Sequence, residues 1–409
     1  MGYDDEGQAE HARRTTRREQ RRGGARRRGG PVRVVAWAVG ALALLAVLVV
    51  GGYAFWLQRT VSENIEHEDL KSDRESVITI SPDGARQPGQ EDAEQTGDGG
   101  EDAPDQDAED GEEELAPIVD DQGRPIDVSG TEVPVSTPER PAEAGDALNF
   151  LIIGTDSRDL SVERGRSDVI VLAHVDDERD RVDLVHFPRD LFVPIAGTGG
   201  SSKINAAYAY GGAPLLVQTL QPLIGVPIDH VAIVNFESFK AMTDAIGGVD
   251  VQVTEAGGGF GVGTYHMNGE EGLRFVRERK SLSQGDISRG ERQMQFVKAV
   301  MLKALSRETL TNPARLAGFV DAATTNLRVD EGLQVGEMRN LAFSMRDVRG
   351  GDVHFWQGPW CGISSHPVAG SIVVMAQSQM SVLGQHLRSD TMESYVDNVS
   401  PQSGFSGGC

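Results

Sequence analysis

The stretch LNFLIIGTDSRDLSVERGRSDVIVLAHVDDERDRVDLVHFPRD, residues 148–190, decides the fold. Three apolar runs in it, LNFLIIG (148–154), DVIVLAHV (168–175) and RVDLVHF (181–187), read as buried strands separated by polar turns. Asp156, Arg158, Arg166, Asp168 and Arg189 sit where a run ends or begins. Ligands in open α/β sheets bind beyond strand ends, so these five residues mark a candidate site. Two carboxylates among guanidiniums suit magnesium, or manganese, held by hard oxygens, and a diphosphate gripped by Arg forks. Taken singly, either Asp reads better as a turn or strand-end cap.

Downstream, strands and helices alternate. A Gly/Ser loop (197–202) precedes KINAAYAYGG (203–212) and an apolar helix over 213–224 that ends before Gly225. HVAIVNF (230–236) reads as a strand, 237–248 as a helix with a glycine stop, and VDVQV (249–253) as a strand. After a Gly-rich loop, 256–263, a helix starts near Asn268, and a basic loop from 276 runs into an amphipathic helix through Leu305. Helices near 313–325, 333–345 and 376–388 and strands at 352–357 and 371–375 follow. The alternation predicts an α/β fold, a central mixed β-sheet flanked by helices as an αβα sandwich, over 147–390.

The 409 residues carry a net charge of −23, in two opposed blocks. Arg dominates 11–33, while 91–114 is acidic, and the acidic total argues against nucleic-acid binding. The basic block precedes an uncharged run, 34–57, long enough to span a bilayer, with Trp37, Tyr53 and Trp56 near its ends. Positive charge on the N-terminal side places 1–33 in the cytoplasm as a basic tail and everything after 57 outside. A cleaved secretory signal would place the remainder outside as well. Residues 58–146 read as an acidic, mostly disordered linker, and 391–409 as a tail. The two cysteines, Cys361 and Cys409, are expected to bridge in that compartment.

A second basic cluster supports the first. Arg277 and Arg279 would share one face of an extended segment, and Asp286, Arg289, Arg292 and Gln293 share a helix face. Lys203 and Asn205 add a cation and a polar neighbour. The motifs GTDSR (154–158), RSD (166–168), PRD (188–190), KINAAYAYGG (203–212), VNFESF (234–239), MNGEEGLRFVRER (267–279) and GDISRGERQ (285–293) resemble, in order and spacing, those of the LytR-CpsA-Psr family of cell-envelope proteins.

That resemblance implies a membrane-anchored transferase moving a glycopolymer from a polyprenyl-diphosphate carrier to peptidoglycan, with magnesium on Asp156 and Asp168. It implies diphosphate binding by Arg158, Arg166, Arg189, Arg277 and Arg279, with Lys203, Arg289 and Gln293 close by. Asp190 and Asp286 would orient Arg side chains or act as a base. A polyprenyl tunnel would be lined by Leu215, Leu216, Leu220, Leu223, Ile224, Val231, Ile233 and Phe236. His186 stands where the family usually has a small polar residue. The same constellation would also serve a polyprenyl-phosphate-binding scaffold or regulator of wall assembly, or a diphosphate hydrolase.

Overall fold

The computed structural model describes residues 52–72, 77–81, 116–155, 167–325 and 327–396, without the side chains of Asp168, Phe236 and Asp286. Residues 52–56 are helical and belong to a separate unit, in which Tyr53 and Trp56 stack at 6.2 Å. From Leu57 on, the chain forms one unit. Among the described residues no helix is long and apolar enough to cross a membrane. Of the expected span, 34–51 lies outside the described residues.

The three runs of the deciding stretch are adjacent central strands: β4 (Leu148–Thr155), β5 (Ser167–Val175) and β6 (Val182–Phe187). They pair antiparallel in chain order. The sheet extends on one side through β9 (His230–Asn235), parallel to β4, then β12 (Leu327–Asp330) and β1 (Ile65–Glu68). On the other side β13 (Val353–Gln357) runs parallel to β6. The result is the expected mixed sheet of seven strands. The VDVQV strand, β10 (Val249–Val253), stands outside it and pairs with β11 (Gly263–Met267).

Strand alternation sends side chains to both faces. Leu151, Ile153, Ile170, Leu172, Val185 and Phe187 point to one core, filled by Leu215, Leu216 and Leu220 of the helix Ile204–Ile224. Val171, Ala173, Val182 and Leu184 point to the other, against Met294 and Met301 of the helix Asp286–Ala304. Each such aliphatic side chain contributes roughly 1.5–3 kcal/mol when fully buried. The helix Ile204–Ile224 leaves helical geometry at Gly211 and Gly212, which has φ 65°, and this kink is the break expected between 203–212 and 213–224.

Several expectations need correction. Described parts of the segment read as a linker are folded: β1 lies in the main sheet, and β2 (Val77–Thr79) pairs with β3 (Glu132–Pro134). Ile78, Ile80, Ile118, Val128 and Val133 are buried in the main core. Sparse apolar residues among many acidic ones carried this packing, so the boundary at 147 falls inside the domain; 82–115 lies outside the described residues. The tail also starts later than 391, because Met392 and Tyr395 join the same core. The supposed Gly/Ser loop is bounded by β7 (Leu191–Pro194) and β8 (Ser201–Lys203). These join β14 (Trp360–His366) and β15 (Gly370–Met375) in a second sheet. Cys361, in β14, is disulfide-bonded, and Cys409 lies outside the described residues.

Candidate functional site

The site lies where β4, β6 and β9 end and β5 begins. At that edge the β4–β5 register slips: Gly154 pairs with Val169 and Thr155 with Ser167. The backbone of Asp168 is thereby left without a cross-strand partner in β4, as the extra residue of a β-bulge. Bulges of this kind locally re-aim a strand and gather next to active sites. The side chain of Asp168, and all of Asp156, Arg158 and Arg166, lie outside the described residues.

The turn after β6 is held from three sides. Leu191 N donates to Pro188 O at 2.9 Å, Asn205 N to Arg189 O at 3.2 Å, and Val373 N to Asp190 O at 2.9 Å. Arg189 and Asp190 are therefore fixed at the junction of the two sheets and the helix Ile204–Ile224. Lys203 closes β8 and caps that helix, and its Nζ meets Asp190 Oδ1 at 3.1 Å. Both side chains are largely buried, so the pair is a fixed part of the cleft wall.

The opposite wall comes from a hundred residues later. Gly285, with φ 54°, turns the chain into the helix Asp286–Ala304. Its first turns present Ile287, Arg289, Gly290 and Gln293 across from Pro188, Arg189 and Asp190, around a small cavity that also includes His186 and Gln357. A wider cleft shares Asp190, Ile287 and Val373 with it. This cleft adds Lys203, Arg279, Gln284 and the hairpin residues Val368–Ser371. Arg189, Asp190, Lys203, Arg279, Arg289 and Gln293 thus line these two adjoining spaces.

Two residues do not. Arg277 is exposed and lines neither cavity. The helix Gly269–Arg277 runs through it and is capped at Glu278, so Arg277 and Arg279 do not share an extended face. Arg292 turns away from the cleft. Its guanidinium stacks 4.5 Å over the Phe275 ring and donates to Glu255 O at 2.9 Å and Gly257 O at 3.1 Å, holding the Gly-rich loop. Burial pulls its pKa down, against Glu278 and Glu255, which pull it up. Asp286 begins the helix, but its side chain is outside the described residues. Leu215, Leu216, Leu220, Ile224, Val231 and Ile233, expected along a lipid tunnel, pack in the main core, with Leu223 partly buried against it.

His186 lines the smaller cavity while being only 2% exposed. Burial pushes its pKa down to about 4, so the ring is neutral at neutral pH. Its Nδ1 lies 3.3 Å from Gln357 Oε1. Sequence reasoning missed Gln357, which adjoins the site only because β13 pairs with β6 across a long separation. It also missed the 368–371 hairpin, whose small, mostly apolar residues (Val-Ala-Gly-Ser) carry no motif.

Residues 113–383 match the model of the LytR_cpsA_psr family. The chain belongs to this family. It is 36% identical over 191 residues to a "Polyisoprenyl-teichoic acid--peptidoglycan teichoic acid transferase TagU" of Bacillus cereus, across 46% of this chain and 62% of that protein. The protein of the same name from Bacillus subtilis strain 168 is 35% identical over 190 residues, 45% of this chain and 61% of that one. The chain therefore spans less than two thirds of these relatives. The crystal structure of B. subtilis TagV superposes with a TM-score of 0.51 at 25% identity, covering 60% of this chain and 97% of that one. Protein gbs0355 of Streptococcus agalactiae shares the fold, with a TM-score of 0.52 at 20% identity over 61% of this chain and 90% of its own.

Proposed function

We propose that this chain transfers a glycopolymer from a polyprenyl-diphosphate carrier to peptidoglycan, outside the cytoplasmic membrane, anchored by residues 34–57 with the basic N-terminal tail inside. The observation that carries the reading is the meeting of Arg189, Lys203, Arg279, Arg289 and Gln293 around contiguous cavities at one sheet edge. Such a cluster in an otherwise acidic chain suits a ligand with several negative charges. The relatives' printed name, a polyisoprenyl-linked teichoic acid transferase acting on peptidoglycan, points the same way.

In this reaction an acceptor hydroxyl oxygen forms a bond to the glycan-side phosphorus, and the bond from that phosphorus to the bridging oxygen of the lipid phosphate breaks. Charge grows on the departing lipid phosphate. Arg189 and Lys203 are largely buried in the cleft wall before reaction, and Arg289 faces them across it, so they stabilise that charge with little reorganisation. Asp190 keeps Lys203 in position.

Magnesium fits the oxygen-rich edge of this site. Asn205 Oδ1 and Ser167 Oγ are buried there without a hydrogen-bond partner among the described residues, and the bulge sets Asp168 off from its ladder. Asp156 and Asp168 would hold the ion. Bound there, it would offset the negative charge of the diphosphate.

The test uses the full chain in detergent with a polyprenyl-diphosphate-linked glycan, peptidoglycan and Mg²⁺. The expected products are glycan joined to peptidoglycan by a phosphodiester, and free polyprenyl phosphate. Binding without bond cleavage would instead show a scaffold, and equal cleavage without peptidoglycan a hydrolase. Normal turnover by an Asp156→Ala, Asp168→Ala double variant would overturn the metal assignment.

A further inference from the structure

We infer that His186, through an unprotonated Nε2, takes the proton of the attacking hydroxyl. The inference rests on the transfer reading and adds the proton acceptor that reading lacks.

Three features fix the ring. His186 and Gln357 are direct neighbours in the parallel β6–β13 ladder, and Gly358 N donates to His186 O at 2.7 Å. Gln357 Oε1 can only accept, so the contact at 3.3 Å places the ring proton on Nδ1. Nε2 is left with its lone pair and bonds no protein group among the described residues. Gly290, on the helix above, makes room: a Cβ there would lie 3.2 Å from His186 Cε1 and 3.8 Å from Nε2. A fixed tautomer with a lone pair in a cavity lined by Arg189 and Arg289 is the arrangement a proton acceptor needs.

The rival acceptor in the cavity is less available. Asp190 is engaged at 3.1 Å by Lys203 Nζ, so its Oδ1 is already taken up by an ion pair. A carboxylate would also repel the diphosphate, whereas a neutral imidazole does not. Arg189 and Asp190 from its own turn and Arg289 from the helix are the charged groups around the His186 cavity; β13 supplies neutral Gln357 and β15 supplies Val373. Burial keeps the free ring neutral, and an arriving polyanion would favour its protonated form. In the step, the hydroxyl oxygen bonds to phosphorus, its proton moves to Nε2, and the lipid phosphate leaves with the electron pair of the broken P–O bond. The imidazolium then returns its proton to solvent through the open cleft.

The experiment compares full-length wild type with His186→Gln and Gln357→Leu in the transfer assay across pH, alongside ¹⁵N NMR of the imidazoles. His186→Gln should lower kcat by roughly 10²–10⁴-fold with KM for the lipid donor within about threefold, and should remove the acidic limb of the pH–rate profile. Gln357→Leu should cause a smaller loss, because it frees the tautomer. The His186 ring in wild type should show protonated Nδ1 and bare Nε2 at pH 7, with Nε2 shifting on addition of inorganic pyrophosphate and Mg²⁺. A folded His186→Gln variant that keeps wild-type kcat and its acidic limb, or an Nε2 that is protonated at pH 7, overturns the inference and leaves the transfer reading standing. A wild type that joins no glycan to peptidoglycan overturns both.

Discussion

Replacing Lys203 with Met removes one cation from the cleft and one ion-pair partner from Asp190. At 3.1 Å, and with an effective dielectric of about 20, the Lys203–Asp190 attraction is about 5 kcal/mol before desolvation is subtracted. The two side chains are 10% and 12% exposed, so the lost attraction is little screened by solvent. The expected cost to folding is about 3 kcal/mol. The loss of a charge-assisted contact to a diphosphate is about 1.5–3 kcal/mol, so inorganic pyrophosphate should bind roughly 10- to 150-fold more weakly. These two effects separate in a cycle with Asp190→Asn. The double variant replaces both charges by neutral groups, so it should recover most of the stability while its affinity stays low. Urea unfolding and calorimetric titration of the full chain with pyrophosphate and Mg²⁺ provide the two readouts. Unchanged affinity in Lys203→Met, or a coupling in the stability cycle below about 0.5 kcal/mol, would refute the account of this wall.

Other outcomes follow from buried groups elsewhere. His186 falls from the ordinary histidine value of 6.5 to about 4 in the fold, so the unfolded chain binds its proton more readily. Its contribution is full above pH 6.5 and declines as pH falls toward 4, by about 3 kcal/mol, and His186→Gln should flatten that part of the stability–pH curve. Asp176 behaves oppositely: burial, with Asp180 and Asp390 nearby, raises it from 3.8 to about 6, so its stabilisation is lost as pH rises through that window. Asp176→Asn keeps the acceptor that binds Asp180 N at 3.0 Å and Arg181 N at 2.9 Å. It should melt above wild type at pH 7 and level with it near pH 3. Gly384→Ala should destabilise by about 1–3 kcal/mol or more, because its Cβ would fall 2.3 Å from the backbone oxygen of Ile224, which cannot rotate aside. Chemical denaturation measures this directly.

The central strands were legible because β4, β5, β6 and β9 are dominated by apolar residues, with a core on each face of the sheet. The start of the helix Gly269–Arg277 was legible from Asn268, whose side chain and Glu271 form a capping box. β1 (IEHE), β12 (LRVD) and β8 (SSK) were not, since each is three or four residues with charged or small side chains. Their strand state comes from partners far away in sequence, as in the Ile65–Leu327 pairing. The meeting of Pro188–Asp190 with Ile287–Gln293 could be anticipated because both carry Arg beside an acidic residue. The fates of Arg277 and Arg292 could not. Spacing gives a shared face only once the element and its end are known, and the helix ended at Arg277 itself. Gln357 had no local signal at all.

The most direct test of the central claim is a crystal structure of the full chain with a short-chain polyprenyl diphosphate and Mn²⁺, using anomalous scattering to locate the metal. The account predicts the diphosphate between Arg189 and Arg289, with the anomalous peak bound by Asp156 and Asp168. A diphosphate bound away from these Arg residues, or a metal peak distant from both Asp residues, would contradict it.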